Sequence, residues 1–161
     1  MATKTFLSNS FGPRFKKQTP TCVWSPREEN NAIEAKIKRF SKHVEAEIPI
    51  RLKSLSNEAE HWTTKSKRNR SQGFVVKYYL ENQIYGLNLP CKIILTRIAP
   101  RTLDGDNLII AFKKIRDTIA QLFFPETKPG QADSYECFTW EYSQEKGKPK
   151  EYWIRIRIEE I

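Results

Sequence analysis

The stretch Cys91–Phe124 reads CKIILTRIAPRTLDGDNLIIAFKKIRDTIAQLFF. Up to Ile98 it is a nearly continuous apolar run, which is typical of a largely buried strand. From Leu108 onward, apolar residues recur at every third or fourth position until Pro125 ends the pattern, as in an amphipathic helix. We therefore predict a buried strand followed by a helix over about 107–124.

Two aspartates, Asp104 and Asp106, stand one residue apart between the predicted strand and the predicted helix. Like charges this close repel each other, and a shared divalent cation would relieve the repulsion. Gly105 lets the backbone bend between them. The alternative is that they only cap the helix, since aspartate is common at helix starts.

Further polar residues follow on the same helix. At 100° per residue, Asp106, Lys113 and Asp117 lie on the face opposite the apolar stripe, where they meet either a groove or plain solvent. Asp117 is either a further site residue or the partner of Lys113, four residues earlier.

Composition restricts the possible functions. The 161 residues suit one domain, and 39% hydrophobic residues suffice for a core. A net charge of +9 favours a polyanionic partner, although surplus lysine also serves solubility. The three cysteines are far apart, which argues against a disulfide framework and for a reducing compartment, and only two histidines are present. Carboxylate-bound Mg²⁺ or Mn²⁺ is therefore favoured over a transition-metal cluster.

The sequence has no feature of a membrane protein. No apolar run approaches the roughly 18 residues of a membrane span, and the N-terminus lacks the apolar stretch of a signal peptide. We therefore expect a soluble, cytoplasmic protein with no membrane contact.

The chain is predicted to divide into an arm and a domain. Residues 1–27 contain several prolines and resist regular helix, which predicts an N-terminal extended arm followed by a single domain over 28–161. Over 28–44, apolar residues at spacings of four and three predict an amphipathic helix. The stretch Phe74–Leu80 fits either a strand or a helix, and we favour the helix.

Two alternating segments, Phe138–Tyr142 and Tyr152–Ile158, have the pattern of half-buried strands. A short turn at 147–149 separates them, which predicts an antiparallel hairpin. A loop over 125–133 delivers Asp133 just ahead of the first strand. The predicted fold is therefore α/β: a small mixed sheet packed by the long helix, with a C-terminal β-hairpin.

Basic side chains are candidates for binding phosphates, although each is equally well explained as solvated surface. Trp62, Trp140 and Trp153 are candidates for stacking on bases, but a large aromatic residue in a sheet is more often part of the core. The predicted phosphate-binding residues are Lys65, Lys67, Arg68, Arg70, Arg97, Arg101, Lys148 and Lys150.

In their order along the chain, these motifs resemble the RusA-like Holliday-junction resolvases that are common in phages and prophages. The likeness covers roughly residues 90–161. It includes Leu95–Arg101, the Asp-Gly-Asp-Asn-Leu motif at 104–108, Lys113–Asp117, and Asp133 ahead of Trp140–Gln144. Members of that family are homodimeric α/β nucleases that bind four-way junctions and cut them with Mg²⁺ or Mn²⁺ held by aspartates.

The resemblance implies a role for several residues. Asp104 and Asp106 are implied to be the first two metal ligands, and Asp133 the third. Relatives use a lysine early on the helix for phosphate chemistry. This chain has Ile110 at that position, so Lys113, one turn later, is the nearest candidate for the catalytic lysine.

The implied activity is that of a Mg²⁺-dependent crossover junction endodeoxyribonuclease in DNA recombination and repair, leaving 5′-phosphate and 3′-hydroxyl ends. One alternative is a relative that binds branched DNA or a replication partner without cutting. Another is an interaction protein whose aspartates only cap a helix, which predicts no response to metal.

Overall fold

A computed structural model of the chain describes residues 36–40, 42–53, 60–128 and 130–161. Its strands are β1 (Lys36–Arg39), β2 (His43–Ile48), β3 (Cys91–Ala99), β4 (Phe138–Lys146) and β5 (Trp153–Glu160), and its helices are α1 (Trp62–Leu80), α2 (Gly105–Phe123) and a short 3-10 helix (Ala132–Ser134). The five-stranded sheet has the order β1-β2-β5-β3-β4, with β3 and β4 parallel and the other neighbours antiparallel. This architecture confirms the predicted α/β class and the mixed sheet. The predicted arm over 1–27 lies outside the described residues.

The core lies between one face of the sheet and the two long helices. Across the strands, Val44 of β2 is opposite Ile158 of β5, which is in turn opposite Ile93 of β3. All three are fully buried, as are Phe112 and Ile115 on the apolar stripe of α2. Burying such a side chain stabilises the fold by about 1.5–3 kcal/mol, so this stripe fixes α2 on the sheet. The predicted strand and helix of the Cys91–Phe124 stretch are thus confirmed.

The predicted helix over 28–44 is wrong in its described part, which forms β1 and the start of β2. In β2, Val44, Ala46 and Ile48 are fully buried and the residues between them are half-exposed. This period of two matches a strand with one face on the core. Pairing with β5 therefore decides the conformation here, against the helix-like spacing of the apolar residues before it.

The predicted C-terminal hairpin is also wrong. β4 and β5 run antiparallel, but β3 lies between them and pairs with both. The apolar run of β3 is best buried by neighbours on both edges, and α2 supplies the crossover that the parallel β3–β4 pair requires. The connection from β4 to β5 passes the end of β3 at Gly147, where an added Cβ would lie 3.2 Å from Ile98 Cγ2.

The favoured helix over Phe74–Leu80 is confirmed, and α1 begins earlier, at Trp62. It packs beside α2 and buries Val76 and Leu80. The two helices approach closely at Gly73, where an added Cβ would lie 3.0 Å from Lys114 Cε. The basic cluster over 65–70 is therefore held next to α2. In the part of the chain that the structure describes, no helix combines the length and apolar character needed to cross a bilayer.

Candidate functional site

Asp104 and Asp106 lie where the chain leaves β3 and enters α2. Asp104 directly precedes the helix, yet its side chain makes no capping hydrogen bond, and its carboxylate accepts one from Asn107 Nδ2 at 3.4 Å. Asp106 is in the first helical turn, and both aspartates are exposed. No basic side chain within the described ranges forms an ion pair with either of them. Both carboxylates are therefore open to a ligand from solvent.

The sheet fixes the position of this acidic pair. The side-chain amide of Gln144, on β4, accepts a hydrogen bond from the backbone N–H of Leu103 at 2.9 Å and donates one to its carbonyl at 2.7 Å. The segment entering α2 is thereby tied to the sheet, and the apolar stripe of α2 fixes the helix that follows it. Two carboxylates on such a support suit Mg²⁺, which takes one or two protein carboxylates and keeps several waters.

Asp133 is held away from this pair. It lies in the 3-10 helix, where its Oδ2 forms an ion pair with Arg116 Nη2 at 2.6 Å. Arg116 lies about 15 Å along the helix axis from Asp106, at 1.5 Å per residue. Among the described residues, no three carboxylate, histidine or cysteine side chains are grouped to hold a metal. Asp104 and Asp106 therefore stand next to each other at the start of α2, whereas Asp133 pairs with Arg116 in the second half of the helix.

The Asp133–Arg116 pair joins α2 to the sheet. The Asp133 side chain is only 6% exposed. The indole Nε1 of Trp140 donates to the backbone carbonyl of Asp133 at 2.9 Å, and Arg116 Nη1 donates to the hydroxyl of Tyr142 at 3.1 Å. The contacts of Asp133 thus link the middle of α2, the 3-10 helix and β4.

Lys113 and Asp117 face a groove between α1 and α2, so of the two environments predicted for this face the groove is the one observed. Lys65 and Arg68 line it from α1, and Ile110 lines it from α2. Sequence reasoning missed the contribution of Lys114 to this groove. Its position on α2, 80° around the helix from Asp106 at 100° per residue, was the available signal.

The carboxyl group of Asp117 is poorly solvated for a surface helix. One of its oxygens, Oδ1, is buried and has no hydrogen-bond partner among the described residues. Burial and the negative charge of Asp133 raise the pKa of Asp117, against the lowering effect of Lys113 and Lys114. Ionised Asp117 is therefore stabilised less by the folded protein than by water.

Replacing Asp117 by Asn is expected to raise stability at pH 7. Because the pKa of Asp117 is higher in the folded than in the unfolded chain, its ionisation costs stability as pH rises from the unfolded pKa, about 3.9, through the folded pKa. In urea unfolding from pH 3.5 to 7, the free energy of unfolding of the variant should rise relative to that of wild type as pH rises. Glu126→Gln, at an exposed position, should show no such trend. A stability difference that does not change with pH would contradict the prediction.

The other predicted phosphate-binding residues lie in separate places. Lys65, Lys67 and Arg70 are exposed on α1, and Arg101 is exposed between β3 and α2. Lys148 and Lys150 are exposed between β4 and β5.

Two predicted arginines are engaged within the protein. Arg68 is half-buried and paired with Glu60. Arg97 is buried, and its Nη1 donates to the carbonyl of Arg101 at 2.6 Å. Arg97 therefore offers little surface to a phosphate.

Neither a model of a known protein family nor a curated protein sequence matches this chain. The sequence motifs from which a RusA-like resemblance is predicted lie on β3, at the start and middle of α2, in the 3-10 helix and on β4. Asp104 and Asp106 closely follow Leu103, whose backbone is hydrogen-bonded to the side chain of Gln144 on β4.

Proposed function

We propose that this chain is a metal-dependent endonuclease that cuts branched DNA, with a four-way junction as its substrate. The observation that carries the proposal is the exposed pair Asp104 and Asp106 at the N-terminus of α2, with no ion-pair partner among the described residues. The order of motifs that resembles the RusA-like resolvases supports it. That resemblance also leads us to propose a homodimer acting in recombination and repair.

The residues around the pair have complementary roles in this proposal. Asp104 and Asp106 would hold Mg²⁺ or Mn²⁺, which when bound neutralises charge on a phosphodiester and activates water for in-line attack. Lys113 lies on the same face of α2 as Asp106, about 10 Å further along the axis. Its ammonium group is suited to bind a neighbouring phosphate, as is the exposed guanidinium of Arg101.

A second candidate function is binding of branched DNA without cleavage. The position of Asp133 favours it, because its ion pair with Arg116 leaves two carboxylates at the helix start instead of three. Ile110, where relatives have a lysine, points the same way. In this case the basic surface would still bind the junction, with an affinity that falls as salt rises.

The test is cleavage of an end-labelled synthetic four-way junction beside a linear duplex of the same arm sequence. Each is incubated with Mg²⁺, with Mn²⁺ or with EDTA. We expect paired nicks across the junction in either metal, an intact duplex, and loss of nicking in EDTA. Salt-sensitive junction binding without nicks in any condition would favour the second candidate. If the protein neither nicks the junction nor binds it in a salt-sensitive way, both candidate functions are contradicted. The two aspartates would then be helix-start residues only.

A further inference from the structure

The groove between α1 and α2 extends well beyond Lys113. Three adjoining recesses lie along the two helices, and Lys114 borders all of them. Arg70 borders two of them, of which one is lined by Trp62 and the other by Phe74. Because neighbouring recesses share lining residues, they form one furrow, which we call the α1–α2 furrow.

The α1–α2 furrow is strongly basic. Five of its lining cations are Lys65, Arg70, Lys77, Lys113 and Lys114. Asp117 and Glu81 are the carboxylates among the described lining residues, and Glu81 forms an exposed ion pair with Lys77 at 3.5 Å. The α1 helix itself has no aspartate or glutamate. The furrow therefore complements a chain of negative charges.

Two large aromatic rings border the same furrow and are left in water. Trp62 is 73% exposed and Phe74 is 63% exposed. The core does not need them, since α1 is already anchored by Val76 and Leu80. Exposed aromatic faces interleaved with cations are the arrangement on which unpaired bases stack while the backbone is neutralised.

We propose that the α1–α2 furrow binds a single strand of nucleic acid, with bases stacked on Trp62 and Phe74 and phosphates contacting Lys65, Arg70 and Lys114. The inference rests on the proposed function, to which it adds an unpaired strand at the branch point. Intact duplex fits less well, because its base faces are already stacked and cannot reach the two rings. An acidic polypeptide would satisfy the lysines but would leave the ring faces without a flat partner.

The experiment measures the fluorescence anisotropy of fluorescein-labelled oligo-dT of about 20 nucleotides in EDTA, where metal-dependent cutting cannot occur. Trp62→Ala and Phe74→Ala should each weaken binding about tenfold, the effect of losing one stacked base. Tyr78→Ala is the matched control, because Tyr78 is 69% exposed on the same helix but does not line the furrow. Trp62→Phe, which keeps an aromatic face, should restore most of the affinity.

The charged part of the furrow is tested by salt titration. Lys114→Gln should make the slope of log affinity against log salt shallower by about 0.7, whereas Lys38→Gln, on the exposed surface of β1, should leave it unchanged. The proposal is overturned if oligo-dT does not bind, if the two alanine variants bind as wild type does, or if poly-glutamate competes better than unlabelled oligo-dT. Failure of junction cleavage in Mg²⁺ would leave these binding results intact. If the junction is cleaved but Trp62→Ala and Phe74→Ala bind oligo-dT as wild type does, only the proposal for the α1–α2 furrow is overturned.

Discussion

Asp106→Asn is expected to lower the rate of metal-dependent junction cleavage by at least about 100-fold. Changing a group that merely orients a metal ligand already costs 10–100-fold in affinity or activity, and Asp106 is proposed to be a ligand itself. The neutral amide keeps the size of the side chain but loses its charge. Because Asp106 is exposed in the first turn of α2 and pairs with no cation of the described chain, the fold should be retained.

The measurement compares single-turnover nicking by wild type and Asp106→Asn across a Mg²⁺ titration, with junction affinity measured in EDTA. Affinity should be unchanged within about threefold, since no phosphate contact is removed. Glu126→Gln, which removes an exposed carboxylate beyond the end of α2, is the matched control and should cut at the wild-type rate. Equal nicking by Asp106→Asn and wild type would show that the acidic pair does not hold the metal.

Asp133 separates two interpretations of the third acidic position. If Asp133 is a third metal ligand, Asp133→Asn should behave as Asp106→Asn does: it should lose cleavage and remain folded. In the observed arrangement its carboxylate is buried against Arg116, so Asp133→Asn should instead lower stability and leave cleavage per folded molecule nearly intact. Measuring cleavage well below the unfolding temperature distinguishes the two.

The elements predicted correctly are those whose signal is local. β3 and α2 each have a continuous pattern with the period of their own secondary structure, and the acidic pair lies directly between them. β5 likewise alternates, and Ile154, Ile156 and Ile158 are fully buried as that alternation requires. The approximate position of Asp104 and Asp106 could therefore be derived from the sequence.

The errors concern contacts between residues distant in sequence. The alternation in β4 and β5 does not reveal that β3 lies between them, because that depends on the need of β3 for two neighbours and on Gly147 passing its end. For Asp133, sequence order shows that it follows α2 but does not show which part of the helix it packs against. Its location follows from Arg116 and Trp140, which bind its carboxylate and its backbone carbonyl.

Arg116→Met is expected to lower the free energy of unfolding by about 3–5 kcal/mol, the usual cost of leaving one member of a buried ion pair without its partner. Methionine keeps much of the apolar stem of Arg116, so the main loss is the cation facing Asp133. The hydrogen bond from Arg116 to the Tyr142 hydroxyl is lost as well. Urea unfolding at pH 7 measures the effect.

Arg155→Met is the matched control, because Arg155 has similar exposure to Arg116, 30% against 26%. Arg155 pairs with Glu47 at 2.8 Å and Glu145 at 2.6 Å, but those carboxylates are 27% and 50% exposed, so its loss should cost about 1 kcal/mol or less. In Arg116→Met/Asp133→Leu, no buried charge is left unpaired, and most of the stability should return. The prediction fails if Arg116→Met and Arg155→Met lose the same free energy of unfolding and the double variant recovers none of it. Burial of Asp133 would then not determine how much the Arg116–Asp133 ion pair stabilises the fold.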